Sequence, residues 1–369
     1  MMDRRDFIRI VAGLGALSLL PLSGCGVADK NAQPLLLSGS DNGNRHTLSG
    51  WRLGRGESFR IEVAQRVHAP LMHPNGQQAI FVARRPGTSI YVVDINEGRI
   101  QQEVAALPDR HFYGHATFSN DGRWLYVAEN AYLEQGLGKI AVYDAKASYQ
   151  RVREFDLQGI GPHQLALMPD GHTLVIALGG IQTHPHFSRD KLNLDTMQSE
   201  LVFLDTRNGM IQQRFAAPHQ HLSLRHLDVS AAGDVMVGAQ FQTKANPDFN
   251  YQGPLVFLQR GNGGLEALQA PQQTWLSQQQ YIASVVFSDD GSLAVTTSPR
   301  GGVVNLWKVD DGTLLRQFEV ADVAGAGYLT QQASFVVSNG LGQLFSVGRE
   351  LSLLAESPKT RWDNHLFLV

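Results

Sequence analysis

Five histidines occupy equivalent positions in a repeated sequence pattern, each at the start of a short apolar segment: His68, His115, His163, His226 and His365. Neutral imidazole is the commonest metal ligand in proteins. For any one of these histidines, a hydrogen bond to the backbone of a neighbouring repeat is an equally good explanation. Five at the same point of a repeat favour a shared site, and we predict that they bind a transition metal ion.

The repeat around the histidines is built from short strands. In Gly161–Ala177 an apolar strand, the turn Pro169-Asp170-Gly171 and a second apolar strand follow one another. Near-copies of this unit have their turn glycines at Gly76, Gly122, Gly233 and Gly291. A repeat of roughly fifty residues made of short strands predicts a β-propeller, in which each repeat is one four-stranded blade.

The two ends of the chain are predicted to share a blade. Gln33–Ser38, His46–Leu53 and Ser58–Val63 resemble three strands that lack an inner strand before them. The C-terminal segment Trp362–Val369 has the same histidine-then-apolar pattern as the inner strands and supplies the missing one. Such a closure removes exposed sheet edges. We therefore predict an all-β fold, a seven-bladed β-propeller that spans residues 33–369 as a single domain.

Propeller geometry places the starts of the inner strands at one mouth of the central channel, where the loops after the second strands also open. Two of these loops, Gly179–Ser199 and Gln240–Gly253, are long enough to predict a function at that mouth.

His68 and His163 lie eight residues before the turn glycine, and His115 and His226 lie seven before it. Since a one-residue offset reverses side-chain direction in a regular strand, we expect either two layers of histidines or one longer turn.

Six further polar residues are predicted near this mouth: Glu129, His184, His186, Arg225, Tyr281 and Arg300. Glu129 could add a carboxylate ligand, and the two loop histidines could cap the site. Tyr281 stands where the sixth blade lacks a histidine. The two arginines could hold an anion or a carboxylate ligand, or could be solvated loop charges.

Composition excludes several classes of site. The chain has 369 residues, a net charge of −3 and a single cysteine, Cys25. No basic run favours nucleic acid. Without further cysteines there is no disulfide, zinc–thiolate site, iron–sulfur cluster or covalent c-type haem in the mature domain. Nitrogen and oxygen ligands remain, and a histidine site suits iron, copper or zinc rather than magnesium or calcium.

The N-terminus indicates export. Arg4-Arg5 is followed by an apolar stretch that ends in Leu22-Ser23-Gly24-Cys25. This pattern resembles a twin-arginine signal with a lipobox, in which residues 1–24 are removed, Cys25 is lipidated and residues 25–32 form a tether. Ordinary secretion with cleavage elsewhere, or an uncleaved anchor, are the alternatives. We predict a periplasmic protein that meets the membrane only through a lipid anchor.

Several segments, in order along the chain, resemble the family known as domain of unknown function 1513: Tyr113-Gly114-His115, Gly161-Pro162-His163, Thr183-His184-Pro185, Lys191–Met197, Leu224–Leu227 and Thr297–Gly302. The resemblance implies a propeller similar in architecture to quinoprotein amine dehydrogenase and nitrous-oxide reductase. It also implies a genetic setting beside imelysin-like and di-haem peroxidase-like proteins in iron-responsive clusters. The chain lacks the cysteine-bearing copper domain of nitrous-oxide reductase, so that reaction is not expected here.

Three functions are consistent with the sequence. The first is a metal-binding protein of iron acquisition or handling that takes iron, or alternatively copper, at the histidine mouth. The second is a metal-dependent oxidoreductase that uses the same ligands. The third is a docking platform for an imelysin-like or peroxidase-like partner, with structural histidines. Converging histidines would favour the first two, and widely separated ones the third.

Overall fold

The computed structural model describes residues 33–41, 45–187, 190–243, 251–357 and 359–369. The strands within these residues form seven antiparallel sheets of four strands each. Residues 34–369 form one compact unit. The prediction of an all-β, seven-bladed propeller is confirmed.

The strands follow the blades in chain order. The first blade comprises β1 (Leu35–Asp41), β2 (His46–Arg52), β3 (Gly56–Val63) and β28 (Trp362–Leu368). The second comprises β4 (Val67–Met72), β5 (Gln78–Ala83), β6 (Ser89–Asp94) and β7 (Arg99–Ala105). The third comprises β8 (Arg110–Phe118), β9 (Trp124–Ala131), β10 (Leu137–Asp144) and β11 (Gln150–Ile160). The fourth comprises β12 (Pro162–Leu167), β13 (Thr173–Leu178), β14 (Glu200–Asp205) and β15 (Ile211–Ala216).

The remaining three blades have the same plan. The fifth comprises β16 (Leu222–Val229), β17 (Val235–Phe241), β18 (Val256–Gln259) and β19 (Glu266–Ala267). The sixth comprises β20 (Ser284–Phe287), β21 (Leu293–Ser298), β22 (Val303–Lys308) and β23 (Thr313–Glu319). The seventh comprises β24 (Val323–Leu329), β25 (Ser334–Asn339), β26 (Gln343–Val347) and β27 (Leu351–Glu356).

Helices are short in the part of the chain that the structure describes. One α-helix, α1 (Gln272–Ser277), joins β19 to β20, and its Trp275 stacks on Trp307 with ring centroids 5.6 Å apart. Single 3₁₀ turns are Ala145–Ala147, Pro185–Phe187, Leu194–Thr196 and Thr330–Gln332. None of the described helices is long and apolar enough to cross a membrane.

Burial differs between the middle and the outer strands because neighbouring blades pack face to face. The middle strand β5 (Gln78–Ala83) has apolar neighbours on both faces, and Ile80, Phe81 and Val82 are fully buried. The outer strand β7 (Arg99–Ala105) alternates between exposed and half-buried residues, as a half-solvated strand does. The hydrophobic core therefore lies in layers between adjacent blades.

The predicted ring closure is confirmed. β28 pairs antiparallel with β1 through Leu36–Leu368, Leu37–Phe367 and Ser38–Leu366. Leu35 and Val369 exchange backbone hydrogen bonds of 3.1 and 2.9 Å. The C-terminal strand is thus the inner strand of the first blade, and it brings His365 to the axis.

Candidate metal centre

Each inner strand is irregular where its histidine stands. The pairing of β4 with β5 shifts between Val67 and Pro70, and that of β12 with β13 shifts between Pro162 and Leu165. Corresponding shifts occur in β8 between Phe112 and Ala116, and in β16 between Leu224 and His226. A bulge breaks the regular alternation of side chains and re-aims them. The one-residue offset between the histidines therefore does not separate them.

Four of the histidines bring ligand atoms together on the axis. One ring nitrogen from each of His68, His115, His163 and His226 lies within 4.8 Å of the other three. The Nε2 atoms of His163 and His226 are 3.0 Å apart. We call these four residues, together with His365, the histidine cluster.

His365 contributes a fifth ring to the cluster. Its centroid lies 4.5 Å from that of His68 and 4.8 Å from those of His115 and His226. His68 belongs to the four whose ligand atoms converge, whereas His365 is not one of those four. Strand spacing could not rank them, because the order depends on the bulges.

Hydrogen bonds hold one tautomer of His226 in place. Its Nδ1 lies 3.0 Å from the carbonyl oxygen of Ile282, which can only accept a hydrogen bond. Nδ1 therefore donates, and Nε2 is left with its lone pair directed at the cluster. Backbone bonding, the alternative explanation for these histidines, thus occurs at His226 and orients a ligand there.

Three nitrogens of the cluster are buried without a hydrogen-bond partner: Nδ1 of His68, Nε2 of His115 and Nε2 of His365. Leaving a buried polar atom unsatisfied costs about 1–3 kcal/mol. The Nε2 atoms of His115 and His365 are the pattern expected where a cation completes the bonding, whereas Nδ1 of His68 faces Asp363.

Burial keeps these imidazoles neutral. It lowers the pKa of His68, His115, His163 and His226 well below the ordinary histidine value, and the neighbouring rings and arginines lower it further. The same burial lowers the pKa of His365 to about 4. At neutral pH each ring is therefore uncharged and has one nitrogen lone pair with which to bind a metal.

The spacing fits a metal ion. For metal–nitrogen bonds of 2.0–2.1 Å, neighbouring ligand nitrogens lie about 2.9 Å apart at a right angle and about 3.4 Å apart in a tetrahedron. The observed 3.0 Å between His163 and His226 matches this range. Two nitrogens on opposite sides of a metal ion are separated by twice the bond length. The ligand atoms of the set, at most 4.8 Å apart, would have to approach by less than about 1 Å to reach that separation.

A carboxylate lies behind His68. Asp363 Oδ1 is 3.8 Å from His68 Nδ1, and Asp363 Oδ2 accepts a 2.6 Å hydrogen bond from Arg66. Carboxylates placed behind ligating histidines orient the ring and raise its basicity. Asp363 and Arg66 were not among the sequence candidates, although Asp363 stands two residues before His365.

Two cavities meet the histidine cluster. The first, which we call the arginine cavity, has a volume of about 620 Å³ and is lined by His68 and His163 together with Arg66, Arg84, Arg85 and Arg225. The second, about 550 Å³, is lined by His115, His365, Gln164 and Asp228. The cluster thus has a cavity on each of two sides, while its ligand atoms stay together.

Glu129 does not join the site, contrary to the sequence expectation. It is fully buried and accepts hydrogen bonds from Arg151 at 2.6 Å and from the Tyr143 hydroxyl at 3.0 Å. A buried carboxylate needs a paired cation, and Arg151 supplies it. Glu129 is therefore a structural ion pair of the third blade.

The loop histidines do not cap the cluster either. The rings of His184 and His186 lie 5.0 Å from each other, and that of His184 lies 5.1 Å from Tyr132. Nδ1 of His184 accepts a hydrogen bond from the backbone amide of His186. The loop that bears them does reach the arginine cavity, through Ile181 and Pro185.

Three other candidates do lie at this mouth. Arg225 and Tyr281 line the arginine cavity, and the Arg300 guanidinium stands 5.2 Å from the Tyr281 ring centroid. Sequence analysis missed Arg84 and Arg85, although they lie in the loop after β5, which opens at the mouth. Cys25 and the predicted leader lie outside the described residues.

Together, the fold and the cluster define a seven-bladed β-propeller with convergent histidines on its axis. The chain belongs to the family described as Protein of unknown function (DUF1513), whose family model matches residues 61–369. No curated protein matches the sequence.

A solved structure shares the architecture. Hydrazine synthase of Kuenenia stuttgartiensis is similar with a TM-score of 0.61, over 87% of this chain and 94% of that chain. The sequence identity is 14%, so the likeness shows the fold alone.

Proposed function

We propose that this protein binds a transition metal ion through His68, His115, His163 and His226, with His365 as a further ligand. The observation behind this proposal is the convergence of four buried imidazole nitrogens within 4.8 Å. Their neutral state and the unsatisfied nitrogens beside them support it. An all-imidazole set suits iron, copper or zinc, and we propose iron as the native metal, with copper as the alternative.

The biological role is proposed from the leader pattern and the family. A twin-arginine signal with a lipobox supports a periplasmic, lipid-anchored protein, and the family resemblance supports a role in iron acquisition or handling. The resemblance also supports imelysin-like or di-haem peroxidase-like proteins as partners. Co-purification of the lipid-anchored protein from its own host tests the partners separately from the metal.

Metal analysis of the protein exported from its native host tests metal identity, and Co²⁺ titration followed by visible absorption tests the site. In His163→Ala/His226→Ala, tight Co²⁺ binding should be lost with the circular dichroism spectrum unchanged. The matched control is His184→Ala/His186→Ala, which removes two imidazoles from the same face and should bind Co²⁺ normally. Equal Co²⁺ binding by both double variants would rule out the site.

A second candidate function is a metal-dependent oxidoreductase. The observation that favours it is the arginine cavity of about 620 Å³ beside His68 and His163, which leaves room for a substrate next to the metal. A metal with an open coordination position favours catalysis, and a saturated set favours storage or transfer. X-ray absorption of the metal-loaded protein, with and without added azide, distinguishes them because azide enters only an open position.

A further inference from the structure

The arginine cavity is unusual in its charge. Four arginines line it, and no aspartate or glutamate stands among its described lining residues. Arg66 is compensated by ion pairs with Asp363 at 2.6 Å and Asp41 at 3.2 Å. Arg84, Arg85 and Arg225 add three further guanidinium groups to the cavity wall.

Arg225 has an unsatisfied hydrogen-bond donor at this cavity. Its Nε is buried without a hydrogen-bond partner, and within the described ranges no carboxylate forms an ion pair with it. The pKa of Arg225 is lowered to about 10, mainly by burial; Tyr281 opposes this shift, and the charges of Arg85, Arg84 and Arg300 add to it. Lys191, from the long loop of the fourth blade, has its pKa lowered by burial and then by Arg225 and Arg300. These cations crowd one another at the mouth.

The crowding reaches the histidine cluster. His68 and His163 line the same cavity as Arg84, Arg85 and Arg225. A metal ion held by neutral imidazoles adds positive charge at the same place and is repelled by the same arginines. An anion in the cavity would relieve the repulsion on both sides.

The lining also indicates what kind of anion fits. Guanidinium groups match the planar carboxylate fork bidentately. The hydroxyl of Tyr281 adds a hydrogen-bonding group, while Pro86, Ile181 and Pro185 supply apolar wall. An inorganic oxyanion has no apolar atoms to pack against this wall, whereas an organic acid has a carbon skeleton that can.

We propose that the arginine cavity binds a small organic polycarboxylate next to the histidine cluster, with Arg84, Arg85 and Arg225 as its recognition residues. This anion site stands by itself in the metal-free protein. Its second property, mutual strengthening of anion and metal binding, depends on the proposed function. By linkage, each ligand must raise the affinity for the other by the same factor.

Calorimetric titration of the metal-free protein with tricarballylate tests the anion site alone. Binding should be measurable, and Arg225→Gln and Arg85→Gln should each weaken it at least tenfold. The matched control is Arg316→Gln, which removes the same charge from an exposed position on the outer strand β23 of the sixth blade. Absence of tricarballylate binding, or equal binding by all three variants, would overturn the proposal. Phosphate binding as tight as that of tricarballylate would overturn the organic nature of the ligand.

Co²⁺ titration with and without saturating tricarballylate then tests the coupling. We expect tighter Co²⁺ binding in its presence, and a smaller gain in Arg225→Gln. Failure of Co²⁺ to bind under either condition would refute the metal site while leaving the anion site supported by calorimetry. Weaker Co²⁺ binding with tricarballylate present would overturn the coupling, once competition by Co²⁺–tricarballylate complexes in solution is subtracted.

Discussion

The Nε2 atoms of His163 and His226 lie 3.0 Å apart, although 63 residues separate them in the chain. In the metal-free protein one of the two must donate a proton to the other. Since Nδ1 of His226 donates to Ile282, His226 Nε2 is the acceptor and His163 Nε2 the donor. Metal binding at His163 Nε2 therefore requires the ring to adopt its other neutral tautomer, with the proton on Nδ1.

Replacing Asp363 by Asn should weaken Co²⁺ binding by about 10- to 100-fold, the usual effect of losing a group that orients a ligand. The reason is the position of the carboxylate behind His68, with Arg66 holding its other oxygen. Asp41→Asn is the matched control, because Asp41 forms ion pairs with Arg66 and with His46. Equal affinity in the two variants would show that Asp363 is merely a partner of Arg66.

Gly114→Ala should disturb His68 as well as the fold. Gly114 has φ +98°, and a Cβ there would lie 2.5 Å from the Cβ of His68. Gly76→Ala is the control, since Gly76 has φ +69° with nothing within 4 Å of an added Cβ. Left-handed strain alone costs about 1–2 kcal/mol, so denaturant unfolding should show a larger loss for Gly114→Ala. Only that variant should also lose Co²⁺ affinity.

Deleting residues 366–369 should lower global stability, because it removes three backbone pairs between β28 and β1 and exposes a sheet edge. The deletion keeps His365, so it separates ring closure from metal ligation. Thermal unfolding of the metal-free protein measures the effect. Leu353→Ala, at a site 55% exposed on β27, should leave the transition unchanged. An unaltered transition in the deletion variant would mean that the ring does not depend on its C-terminal strand.

The metal-free protein should lose stability as the pH falls below about 6.5. In the unfolded chain the cluster histidines take up protons near pH 6.5, whereas burial lowers their folded pKa and keeps them neutral. The unfolded state thus binds more protons, and each histidine contributes a slope of up to about 1.4 kcal/mol per pH unit. Urea unfolding at pH 7.5, 6 and 5 measures the slope, which should be shallower in His163→Gln.

Asp228 provides a separate test of how stability depends on pH. Burial raises its pKa to about 6, so between about pH 4 and 6 the native state takes up a proton there that the unfolded state does not. This opposes the effect of the histidines, and Asp228→Asn should make the loss of stability at low pH steeper. A shallower slope in that variant would contradict the assignment.

The fold was accessible from the sequence because its determinants are local and repeated. Strand–turn–strand units with glycines such as Gly76 and Gly171 recur at blade spacing, and the missing first inner strand has its counterpart at Trp362–Val369. Equivalent positions in a closed ring must converge on its axis. Five histidines at one such position were therefore a sound prediction of a common site.

The sequence could not show which polar groups meet at the axis, because side-chain direction there depends on bulges formed against the neighbouring strand. The shifts near His68 and His163 bring both spacings of histidine into one cluster. Glu129 was lost from the site because folding places Arg151 against it.

The sequence by itself determined the seven blades, their closure and the histidine ring, since each follows from a strand pattern that repeats along the chain. Only the tertiary structure decided that Arg84 and Arg225, from different blades, line one cavity beside those histidines. The loop after β5, which carries Arg84, and the strand β16, which carries Arg225, are unrelated in sequence, so no local pattern shows that the two residues meet across the channel. The charge of that cavity is a property of the assembled ring.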